Sequence, residues 1–138
     1  VATMLEAVLG ALDGAREARR QVQGLLADHD APALAEAGAA AIQAIDAWEA
    51  EVTELRHETF EDEDAWVMKL DGQLRHLLDV VGSGGAPVTG GARERYEDLE
   101  TEWSRLEAQL ADISAGALAD VERWAREHAV PYIRSPLR

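Results

Sequence analysis

The sequence predicts an all-α protein: an antiparallel up-down-up-down four-helix bundle with a long, heptad-patterned C-terminal helix. Three observations predict it. Apolar residues recur every three or four positions almost throughout, no stretch alternates with the period of a strand, and Pro32, Gly82 to Pro87 and Pro131 punctuate the pattern. At 138 residues the chain fits one domain. Helices are expected over about 4–28, 32–59, 65–82 and 90–129.

The first helix opens with Thr3 and Glu6, the spacing of a capping box, in which each side chain satisfies a free backbone N–H. Leu5, Val8, Leu9, Leu12, Val22, Leu25 and Leu26 form its stripe, interrupted by Arg16 and Arg19. Gly10, Gly14 and Gly24 each cost roughly 1 kcal/mol relative to Ala, and close approach to a neighbouring helix is a reason to keep them. Pro32 suits a first turn, with Asp30 as the expected cap.

The second helix carries Leu34, Ala41, Ile45, Trp48, Val52 and Leu55 on one face. Its first half, from Ala33 to Ala44, is almost all Ala and Gly, which predicts tight packing there. It runs out in the acidic stretch Glu58 to Asp64, where Asp62 or Asp64 can cap the third helix. That helix has the stripe Trp66, Val67, Leu70, Leu74, Leu77, Leu78 and Val81.

Thr89 is the expected N-cap of the last helix. Its apolar positions Tyr96, Leu99, Trp103, Leu106, Leu110 and Ile113 follow a heptad spacing. The stripe goes on through Ala117, Val121, Trp124 and His128 with one step out of phase, which predicts a shifted seam in an unbroken helix. Pro131 stops it, because the residue before a proline resists helical geometry. At 1.5 Å per residue this helix would span roughly 57 Å and the third about 25 Å, so the long one should overhang the short one.

Charge and composition exclude several function classes. Apolar residues make up 47% of the chain, too many for disorder, and 27 acids against 13 bases give a net charge of -14. Nucleic acid would be repelled by such a surface. No apolar run approaches the ~20 residues of a membrane span. Cysteine is absent, which removes disulfides, thiolate chemistry and the usual structural zinc sites. The chain begins at Val1 and is expected to be a piece of a larger protein.

Candidate chemistry is sparse. Glu54 and His57 have the Glu-x-x-His spacing of di-iron carboxylate bundles, which use it twice with two further glutamates. Here it occurs once, and a solvated helix end is the expected reading. The run Glu58, Glu61, Asp62, Glu63, Asp64 lacks the central Gly and the length of an EF-hand loop. Gly82-Ser83-Gly84-Gly85 lacks the following Lys of a phosphate loop and precedes Pro87. No serine lies in a nucleophile elbow. No catalytic, cofactor or metal residue is assigned, and the chain is read as a non-enzyme. Of the seven aromatics four are tryptophan, Trp48, Trp66, Trp103 and Trp124, all on predicted stripes. Core packing is their default, with an interface or pocket as the other use; the residues singled out for that use are Trp103, Leu106, Leu110, Trp124, Tyr132 and Ile133.

One segment resembles a known family. Lys69-Leu70-Asp71-Gly72-Gln73-Leu74, then Leu77, Val80-Val81-Gly82-Ser83, Ala86-Pro87-Val88-Thr89, and the tail Val130-Pro131-Tyr132-Ile133 resemble the C-terminal helical region of bacterial sortilin-like proteins. These are β-propeller proteins of glycosyl hydrolase type with BNR (Asp-box) repeats. The resemblance covers about half the chain. It departs where the family often has an aromatic and Pro-Pro before Lys-Leu, since Trp66-Val67-Met68 stands here. Any glycosidase chemistry would belong to the propeller, of which these residues contain nothing. The resemblance implies a non-catalytic appendage that docks on the propeller of its parent or joins two copies as a homodimer. It implies an extracytoplasmic place if that parent is secreted. The rival expectation is a self-contained bundle binding an apolar small ligand between its helices.

Overall fold

A computed structural model of the chain describes residues 1–53, 69–82 (the Val81 side chain excepted) and 90–132. All regular structure among them is helical: α1 (Ala2–Asp28), α2 (Pro32–Val52), α3 (Leu70–Gly82), α4 (Gly90–Ala115) and α5 (Ala117–Glu127). The expected all-α class holds.

The helix ends follow backbone chemistry more than side-chain caps. In α1 the Leu5 N–H already donates to the Val1 carbonyl at 2.9 Å, so Thr3 lies inside the first turn and the expected capping box does not form. Pro32 takes the first position of α2, as predicted, where its missing N–H has no partner to lose. The N-cap is Ala31, one residue later than the expected Asp30, and it makes no side-chain cap bond.

Helix α2 ends at Val52 and not near residue 59. Val52 and Thr53 are β-branched in succession, which weakens helix continuation. Thr53 is extended, and its hydroxyl donates instead to Asp71 Oδ2 at 2.8 Å, near the start of α3. Lys69 is not helical, so α3 starts at Leu70, later than the expected 65. Leu55, Trp66, Val67 and the caps Asp62, Asp64 and Thr89 lie outside the described residues.

The long last helix is not continuous. At Gly116 the backbone leaves helical geometry, with φ -101° and ψ -94°, and α5 begins at Ala117. Gly116 N–H donates to Asp112 O at 2.9 Å and its carbonyl accepts from Asp120 N–H at 3.0 Å, so the chain bends without losing these bonds. A Cβ at Gly116 would sit 3.1 Å from Asp112 O, which suits this place to glycine. The break falls where the apolar spacing loses phase. It also turns the next face: Leu118, Val121, Trp124 and Ala125 are buried in α5, while Ala117 is only half-buried and His128 is exposed.

Helix α5 ends four residues before Pro131, in a Schellman motif. Val130 N–H reaches Ala125 O at 2.8 Å and Ala129 N–H reaches Arg126 O at 3.3 Å, with Ala129 in the left-handed region at φ 53°.

One core joins the helices. Val8, Ala11, Ala15, Val22, Leu34, Ala41, Ile45, Val52, Leu70, Leu74, Leu106 and Val121 are fully buried in it. Side by side lie α1 with α2, α2 with α5 and α4, and α3 with α1 and α4. By contrast α2 and α3 touch only lightly, near the Thr53–Asp71 bond. In a sequential ring of four helices they would pack along their length.

The small residues of α2 do bring α1 close, at one position. A Cβ on Gly38 would lie 2.8 Å from Leu26 Cδ2, so glycine there lets Leu26 sit where a larger residue would make it shift. At Gly10 and Gly24 a Cβ would meet nothing within 4 Å, so close approach does not explain those two.

Candidate functional site

Arg16 and Arg19 interrupt the stripe of α1 because they face a carboxylate. Glu49 of α2 is 3% exposed, the single buried charged residue among those described. Arg16 Nε donates to Glu49 Oε2 at 2.5 Å, and Arg19 Nη1 donates to Glu49 Oε1 at 3.1 Å and to Asp46 Oδ1 at 2.7 Å. Later arginine pairs with earlier acid, so α1 and α2 run antiparallel. Burial pushes the Glu49 carboxyl up, but the bonds from Arg16 and Arg19 outweigh it and hold the group below the usual carboxylate range. Burial likewise works against the Arg19 guanidinium, and its bonds to Glu49 and Asp46 hold its charge. Both Glu49 oxygens are matched by arginine N–H groups, so the cluster ties two helices and leaves no free base at the buried carboxylate.

A second polar tie crosses the core. Trp48 is 2% exposed, and its indole N–H donates to the Leu106 carbonyl of α4 at 2.7 Å. A buried indole needs such an acceptor, and here it fixes α2 against α4. At the surface Arg105 Nη1 stands 3.5 Å from Glu51 Oε1 across the same pair of helices.

The residues singled out for an interface or pocket separate into two groups. Trp103, Leu106, Leu110 and Trp124 are at most 8% exposed and belong to the core of the chain itself. α4 and α5 turn all four inward onto the other helices. Tyr132 is half-buried against that core, and Ile133 lies outside the described residues.

Tyr132 marks the end of the molecule where features converge. With Pro131 it lines an open groove of about 370 Å³ against Arg20, Gln21, Gly24, Leu25 and Asp28 of α1. Around the corner, Leu26, Asp28, His29, Asp30, Ala31 and Ala35 line a second open groove of about 500 Å³ at the α1–α2 turn. Between helix ends stands Trp124. Its ring stacks on His128 with centroids 4.3 Å apart and meets His29 tilted at 5.6 Å. His29 and His128 are the C-caps of α1 and α5. Sequence reasoning missed this cluster because His29 lies beyond a helix end, off any periodic stripe, and His128 reads as one more position on the stripe of an unbroken helix.

Among the described residues no group of three or more His, Asp or Glu could hold a metal ion, and no helix is long and apolar enough to cross a membrane. Glu54, His57 and the acidic run Glu58 to Asp64 lie outside the described residues, as do Ser83 to Thr89. No family model matches the chain, and neither does any curated protein or solved structure.

Proposed function

We propose that the chain is a non-catalytic helical docking or oligomerisation module, appended to a β-propeller of the sortilin-like BNR-repeat type. Its helices close as an antiparallel bundle in which α3 takes the place beside α1 and α4 that α2 vacates at Val52. The seam is the heptad stripe of α4. The partner is the propeller of the same parent or a second copy of the chain.

The observation that carries this reading is the use to which the chain puts its chemistry. The buried carboxylate of Glu49, paired with Arg19, and the indole N–H of Trp48 both serve helix-to-helix ties. A binding module needs such a stiff frame, and an enzyme would keep convergent polar groups uncommitted in a cleft. The rival reading asks Trp48, Trp103 and Trp124 to line a ligand cavity, whereas they pack against leucines and valines in one core. The resemblance of the segment from Lys69 to Ile133 is what suggests the parent.

Light scattering behind a sizing column tests this, with the chain alone and with a sortilin-like propeller added. Self-association or a complex with the propeller is expected. A strict monomer that ignores the propeller, and whose tryptophan emission shifts with an apolar ligand, contradicts the proposal and favours the rival.

A further inference from the structure

We propose that α5 is a clasp, hinged at Gly116 and latched at its far end by the ring contacts of His29, Trp124 and His128, which opens as a unit while α1, α2 and α4 stay folded. The hinge is a single residue off helical geometry, with no side-chain cap on the helix that follows it. Only 11 residues long, α5 presents Leu118, Val121, Trp124 and Ala125 inward from one side. Helices of that length have little stability of their own, so its packing holds it in place.

Both halves of α5 are packed, with Leu118 and Val121 toward the hinge at most 1% exposed. Its largest anchor, Trp124, is at the end away from the hinge and remains 8% exposed. Trp124 is gripped from two sources. His128, on α5 itself, stacks at 4.3 Å and its Nδ1 bonds the Trp124 carbonyl at 2.8 Å, so that contact travels with the helix. His29 belongs to α1 and meets the indole at 5.6 Å. Of the two ring contacts, the His29 one alone is broken when α5 swings out. The terminus adds a weak point, because Ala129 holds a left-handed conformation that a residue with a Cβ adopts at a cost.

Local opening of this kind is how small parts of a fold separate from the global transition. An open clasp bares Trp124, Leu118 and Val121 together with the α2 face beneath them, an apolar surface hidden in the closed state. The clasp does not rest on the docking reading, and it holds whatever the chain binds.

Native-state amide exchange at one fixed pH tests the clasp on the whole chain. Amides of α5 are expected to exchange at least tenfold faster than those of Leu99 to Leu110 in α4. His29→Ala keeps the cap bond of α1, which the backbone makes, so it should speed α5 a further severalfold and leave α4 unchanged. His29→Phe restores a ring and should return α5 to its original rate. Equal rates in α5 and α4, or a His29→Ala effect spread evenly over both, overturns the proposal. Failure of His29→Phe to rescue also overturns it, since the ring contact would then not be the latch.

Discussion

Gly10, Gly24 and Gly38 look alike in the sequence, and their surroundings separate them. Around Gly10 and Gly24 there is open space, so alanine removes the backbone entropy cost without a clash. Gly10→Ala and Gly24→Ala should each raise stability by up to about 1 kcal/mol, read as a higher midpoint in urea. Gly38→Ala pushes a methyl against the end of Leu26, which must shift, so its effect should fall short of the gain at the other two. The sequence pointed to a tight α1–α2 contact through the Ala and Gly run, yet could not say which glycine needs to be one. That depends on where Leu26 points, and only the packed pair decides it. Ala129 is the reverse case. Its φ of 53° favours glycine, so Ala129→Gly should stabilise by about 1 kcal/mol, with thermal melting as the check.

At the scale of elements, the clear boundary was the start of α2 at Pro32, since proline's ring geometry acts on its own neighbours. Pro131 marked the end of α5 only loosely, because the helix closes four residues earlier at its own left-handed cap. The end of α2 at Val52 was hidden because Leu55 prolongs the apolar period, while Thr53 and Asp71 make their bond across the fold. The break at Gly116 did leave a trace, the lost phase after Ile113, which marks a bend and not a shifted seam. Arg16 and Arg19 were visible as interruptions of a stripe, but Glu49 was not, because a helical glutamate is ordinarily solvated. That cluster makes the α1–α2 pair sensitive to acid. The Glu49 carboxyl is held below its ordinary value in the folded state, so its contribution is complete above about pH 5. It falls away as pH drops through the depressed value. Glu49→Gln removes the charge that two arginines need and should cost about 1–3 kcal/mol at neutral pH. Arg16 and Arg19 keep some access to water, which holds the cost below that of a fully buried pair. In the variant the acid-induced loss should shrink, and urea midpoints at neutral and acidic pH measure both effects.

For the molecule as a whole, the apolar stripe of the C-terminal segment lies inside its own chain. The candidate contact residues were legible as a set, because their spacing marks one face of a helix. Which partner covers that face was not legible, since a core and an interface share the same pattern of leucine and tryptophan. The described structure covers it with α2 and α3, and Leu106 is 0% exposed at the carbonyl that receives the Trp48 N–H. Under the proposed docking role, contact with a partner would fall to the outer surface and to the end where Tyr132 and the two grooves lie, and a clasp that opens would add to it. The measurement that tests this most directly is circular dichroism of Leu106→Glu, taken beside light scattering. A charge forced into the core should cost more than about 4 kcal/mol, so the account predicts loss of helicity and of the cooperative melt, whatever the state of assembly. Full helicity and an unchanged melting midpoint, with only self-association or propeller binding lost, would contradict it and make Leu106 an interface residue.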